Sequence, residues 1–109
     1  MVQRRIPEKV KKEVEEYIEA LKAENLPIQA AYLFGSYAKG KSHKWSDIDL
    51  CIVSPNFKNP WEALQYLWSK RLRDSGLTIE PIGYNPKDFK EDDSPLVWEI
   101  KQTGIPIAT

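Results

Sequence analysis

The stretch Asp47–Val53 reads DIDLCIV. Its alternation is that of a strand: Ile48, Leu50 and Ile52 share one face, while Asp47, Asp49, Cys51 and Val53 share the other. A chain containing this segment is committed to a sheet. It also carries two carboxylates side by side on one face, where like charges repel. Packing alone does not ask for that arrangement. A hard divalent cation, held by carboxylate oxygens, removes the repulsion and explains the pattern.

The surrounding sequence supplies partners for that strand. Ile28–Phe34 is a short apolar run behind Pro27 and ends on Gly35-Ser36, which predicts a buried strand. Leu77–Ile82 predicts a third strand, with Pro81 placing its backbone at an edge or irregular position. Residues 8–24 carry Val10, Val14, Tyr17, Ile18 and Leu21 on one helical face, behind Pro7. Asn59-Pro60 caps a second helix that is predicted to run to Gly76. Trp61, Leu64, Trp68 and Leu72 form its core-facing stripe, and Lys70, Arg71 and Arg73 its last turn. Asn85-Pro86 opens a short turn or helix through Phe89, and Ser94-Pro95 caps a third main helix ending at Gly104. Ile105–Ile107 reads as a terminal extended piece. The expectation is an α/β (α+β) fold, a small mixed sheet packed with helices in two layers. With 109 residues it forms one domain, 1–109.

Composition narrows the function. The 41% hydrophobic and 11% aromatic content belongs to a folded globule. Sixteen basic residues balance sixteen acidic ones, so bulk charge does not hold this chain to nucleic acid, and direct nucleic-acid binding is not expected. The lone Cys51 excludes an internal disulfide and a Cys-based zinc cage, and is read as a small buried filler. The start of the chain is polar and no apolar run is long enough to span a bilayer, so a soluble cytoplasmic protein is expected.

The stretch that carries chemistry is Gly35–Leu50, GSYAKGKSHKWSDIDL. Gly35 permits close backbone approach to a ligand. A helical turn beginning at Ser36 would present N–H groups and a hydroxyl to an anion. Lys39, Lys41 and Lys44 give residues 36–46 three positive charges and no negative one. The loop also holds His43, read as a surface residue, and Trp45, a candidate partner contact. An anion site beside a carboxylate pair describes a bound metal–nucleotide. Glu80, the only acid of the third strand, is the candidate third carboxylate, with Asp88 as its substitute.

Gly35-Ser36, ten residues, then Asp47-Ile48-Asp49 resembles the GS-x10-DxD signature of the DNA polymerase β-like nucleotidyltransferase superfamily. The text LFGSYAKGKSHKWSDIDL is similar to the minimal nucleotidyltransferase (MNT) family. That resemblance implies a polymerase β-like core over nearly the whole chain. It implies ATP as substrate, with Gly35, Ser36, Lys39 and Ser46 on the nucleotide. Two Mg²⁺ ions would sit on Asp47, Asp49 and Glu80, which are then the catalytic set. The family's third acid is most often Asp, and here it is Glu. The implied reaction moves a nucleoside monophosphate to a hydroxyl and releases pyrophosphate.

The family also resembles the antitoxin half of HEPN/MNT toxin–antitoxin pairs. This implies AMPylation of a tyrosine on a HEPN toxin, in a homo- or hetero-oligomer, by a catalytic core without its own acceptor-binding domain. The alternatives are an antitoxin that only binds its toxin, and a small-molecule transferase of the aminoglycoside type.

Overall fold

The computed structural model describes residues 6–41, 47–71 and 78–109. The elements run α1 (Glu8–Ala23), β1 (Ala30–Phe34), β2 (Ile48–Val53), α2 (Pro60–Ser69), β3 (Ile79–Tyr84), α3 (Pro86–Glu91), α4 (Pro95–Thr103) and β4 (Ile105–Pro106). The strands form one mixed sheet in the order β3-β2-β1-β4. β2 pairs antiparallel to β1 and parallel to β3, and β4 pairs antiparallel to β1.

The helix starts follow from local chemistry. Asn59, Asn85 and Ser94 each stand before a proline in the first turn. Their side chains accept hydrogen bonds from Glu62, Asp88 and Val97 N–H respectively. Each cap satisfies a donor that the helix start leaves open, and proline has no N–H to satisfy.

One face of the sheet is wholly apolar. Ala31, Leu33, Ile48, Leu50, Ile52 and Ile79 meet Val10, Val14, Tyr17, Ile18 and Leu21 of α1 and Ala63 and Leu67 of α2. The buried Tyr17 hydroxyl donates to the Leu67 carbonyl at 2.6 Å and ties the two helices together. On the other face Phe34, Cys51, Val53 and Tyr84 pack against Val97 and Ile100 of α4, with Phe89 of α3 alongside. The fold therefore has three layers, where two are expected from the sequence. Both sides of β2 are buried apart from Asp49, and the Asp-bearing face needs its own cover. Cys51 is indeed a buried filler, and burial pushes its thiol up to about 12.

The second helix departs most from its sequence pattern. Trp61 is 67% exposed and Trp68 41%, so the tryptophan stripe faces outward and Ala63 and Leu67 face the sheet. Gly83 explains the reversal. A Cβ on Gly83 would lie 2.7 Å from Phe57, 2.9 Å from Ala63 Cβ and 2.9 Å from Leu67 Cδ1. The α2 backbone rides so close over β3 that small residues must face the crossing. Indole rings do not fit there. Trp68 instead donates its indole N–H to the Pro81 carbonyl at 3.0 Å, and Arg71 lies over its ring at 4.2 Å. The helix also stops at Ser69, so Lys70 and Arg71 follow it and do not form its last turn. Leu72, Arg73 and Gly76 lie outside the described residues.

The third strand is shifted two residues toward the C-terminus, because parallel pairing aligns Ile79 with Ile48 and Tyr84 with Val53. It is an edge strand, as Pro81 requires. The N–H groups of Ile48 and of Ser54, just past β2, donate to the Thr78 and Tyr84 carbonyls. The even-numbered residues thus pair inward, and Pro81 and Gly83 turn their backbones away from β2.

Candidate active site

The candidate site is built at one end of the sheet, where β1 runs out and β2 and β3 begin. Phe34, Asp49 and Glu80 stand in register across three strands. Their side chains share the face that carries Cys51 and Tyr84 farther down. Asp49 and Glu80 are thus neighbours on one surface, although 31 positions separate them in the chain.

Gly35 follows directly after Phe34 with φ +75°. An L side chain rarely adopts that conformation. A Cβ there would also run into the Asp49 carboxylate, 3.0 Å from its Cγ. Glycine is required twice over: once for the turn, once for the aspartate beside it.

Residues 35–40 form a run of turns. Lys39 N–H donates to the Gly35 carbonyl at 3.1 Å, Lys41 N–H donates to the Ser36 carbonyl at 3.0 Å, and Gly40 has φ +69°. Tyr37 and Ala38 are buried and pin the run to the body of the protein. The short helical turn expected here is a single turn, closed by the Lys39–Gly35 hydrogen bond and ended at the left-handed Gly40. Ser36 is half-buried beside Gly35.

Burial pushes the Asp49 carboxyl up to about 6, and the nearby carboxylates of Glu80, Asp47 and Glu99 push in the same direction. The charged form of Asp49 is therefore poorly compensated by the protein itself. A hard cation bound by oxygen would supply that compensation, and the donors on offer are all carboxylates. Among the described residues, no three such side chains already stand close enough together to hold a metal ion. Asp47 is exposed at the start of β2. Ser46, Lys44, Trp45 and His43 lie outside the described residues.

Asp88 is engaged with the start of α3. Its Oδ2 accepts from Asn85 Nδ2 at 3.0 Å, and its N–H donates to Asn85 Oδ1 at 2.7 Å. It completes the cap of α3, and Glu80 is the acid that faces Asp49.

Sequence reasoning misses Glu99. This α4 residue forms an ion pair with Lys39 at 2.5 Å, across 60 positions of chain. A faint signal exists in the sequence, since Glu99 flanks the buried Val97 and Ile100 on the same helix. Nothing local says that α4 crosses the sheet beneath the Gly35 turn.

Residues 14–103 match the model of the nucleotidyltransferase domain family. Several solved structures share the fold. A Sulfolobus solfataricus protein assigned as a nucleotidyltransferase is 19% identical, with a TM-score of 0.63, covering 90% of this chain and 78% of its own. A toxin–antitoxin structure with AMP-PNP is 24% identical, with a TM-score of 0.58 and coverage of 90% and 72%. A mutant of the toxin–antitoxin MntA-HpeT is 21% identical, with a TM-score of 0.57 and coverage of 86% and 71%. A search of curated proteins finds no match.

Proposed function

The chain belongs to the nucleotidyltransferase domain family, and on that premise we propose that it transfers AMP from ATP to a hydroxyl of a partner protein, a tyrosine of a HEPN toxin, and so acts as the antitoxin. The observation that carries the reading is the Asp49–Glu80 pair, in register across β2 and β3 beside the left-handed Gly35 turn. The AMP-PNP in one similar toxin–antitoxin structure supports an adenine nucleotide. The exposed Trp61, Trp98 and Leu96 support contact with a protein, since large apolar side chains of this kind anchor interfaces.

In this reading Gly35 and Ser36 receive the β- and γ-phosphates, and Lys39 and Ser46 complete the nucleotide contacts. Gly35 leaves the space that a methyl group would take, and Ser36 offers a hydroxyl donor. Asp47, Asp49 and Glu80 would hold two Mg²⁺ ions. Bound there, these ions would make the acceptor hydroxyl more acidic and neutralise the leaving pyrophosphate. The acceptor oxygen forms a bond to the α-phosphorus, the bond from that phosphorus to the bridging oxygen breaks, and the hydroxyl proton is released to solvent. Asp49 serves as the carboxylate whose charge the folded protein leaves uncompensated until a cation arrives.

Incubation of the chain with its partner, Mg²⁺ and α-labelled ATP tests this. Label is expected on the partner and is lost in Asp47→Ala and Asp49→Ala. Equal labelling by both variants would remove these residues from the site. Inhibition of the toxin without any label would make the protein a stoichiometric binder.

A further inference from the structure

Lys39 sits four residues after Gly35, held to it by a backbone hydrogen bond. Its side chain turns to α4 and pairs with Glu99 at 2.5 Å. Both side chains remain partly exposed, at 39% and 30%. Glu99 therefore ties the basic end of the Gly35 turn to α4.

We propose that Glu99 is a positioning residue, the resting counter-ion of Lys39, and that nucleotide binding transfers Lys39 from Glu99 to the phosphates. This rests on the nucleotidyltransferase reading above. While the site is empty, Lys39 and Glu99 neutralise each other in an ion pair of 2.5 Å. The ammonium group has three donors and one charge. A triphosphate arriving at Gly35 and Ser36 presents several negative charges against the single one of Glu99, and lysine is a flexible point charge able to turn between them. No bond is made or broken in the exchange; one ion pair replaces another.

The pair has the exposure of ordinary surface ion pairs, which sets the scale of the effect at roughly 2- to 5-fold in affinity. Glu99→Gln keeps the shape and removes the competing charge. It should bind Mg-ATP about 2- to 5-fold more tightly than wild type in titration calorimetry. Lys39→Gln should bind more weakly. In the Lys39→Gln background, adding Glu99→Gln should change nothing, because the competitor acts through Lys39. Glu99→Asp keeps the charge but shortens the reach, so it should fall between wild type and Glu99→Gln. It carries the test alone if Glu99→Gln does not fold.

Unchanged or weaker binding by Glu99→Gln overturns the proposal. So does equal tightening in the Lys39→Gln background, since general charge removal would then be the cause. A wild-type chain that binds no Mg-ATP sinks the nucleotidyltransferase reading, and this one with it. A wild-type chain that binds while the Glu99 variants match it sinks this one alone.

Discussion

Leu50 and Asp49 are adjacent in the chain and lie on opposite faces of the same strand. The Leu50 face is closed by α1 and α2 with apolar side chains throughout. The Asp49 face is apolar only in part. Cys51, Val53 and Tyr84 pack under α3 and α4, while Asp49 and Glu80 are left as carboxylates at the open end. The first face gains free energy from every residue that it hides. The second gives some of that up, since burying an uncompensated charge costs stability. A site for a highly charged ligand has to be assembled at such a cost, with packed strands holding like charges where a solvated loop would let them move apart.

This contrast can be broken from either side. The largest effect belongs to the apolar face. Leu50→Ala should cost about 2–5 kcal/mol of unfolding free energy, as full burial predicts, read from denaturant curves. Gly83→Ala comes next. Its methyl would press on Phe57, Ala63 and Leu67, so about 1–3 kcal/mol of destabilisation is expected from overpacking, with a lowered denaturation midpoint as the readout.

The carboxylate face should respond with the opposite sign. The Asp49 carboxyl is held up at about 6, above its ordinary 3.8. Its contribution to stability is full below the lower value and declines as pH rises through the upper one. Asp49→Asn removes that decline. Half-exposure discounts the gain to about 1 kcal/mol, so at pH 8 in chelator the variant should melt about 4 °C higher than wild type. Mg²⁺ should raise the wild-type midpoint and narrow the gap. A variant that melts lower would mean that the charge is already compensated. The smallest effect is expected of Trp61→Ala, within about 0.5 kcal/mol of wild type, because its ring is mostly in solvent. A loss of 2 kcal/mol or more would restore the tryptophan stripe to the core.

Residues whose role depends on neighbours in sequence were legible. The α1 face, the alternation of β2 and the helix starts at Asn59, Asn85 and Ser94 all appear as the local pattern implies. So does Pro81 at the sheet edge. The pattern misleads where two elements meet. Trp61, Leu64 and Trp68 recur at helical spacing, but spacing marks one face of a helix and does not say which face turns inward. Gly83, some twenty residues on, decides that by drawing α2 down until only Ala63 and Leu67 fit. The helical turn expected at Ser36 goes no further than one turn, since Gly40 takes a left-handed conformation.

Sequence alone determined that two carboxylates stand two residues apart where β2 opens, that a glycine and serine precede them by a fixed interval, and that an acid occurs in β3. These are properties of alternation and spacing, which the backbone imposes within a single element. Only the tertiary structure decided that Glu80 faces Asp49 while Asp88 caps α3, that Gly35 must be glycine to clear the Asp49 carboxylate, and that Glu99 reaches Lys39. Each of these depends on strand register and on the closeness of packed layers. Both are settled by contacts between residues remote in the chain.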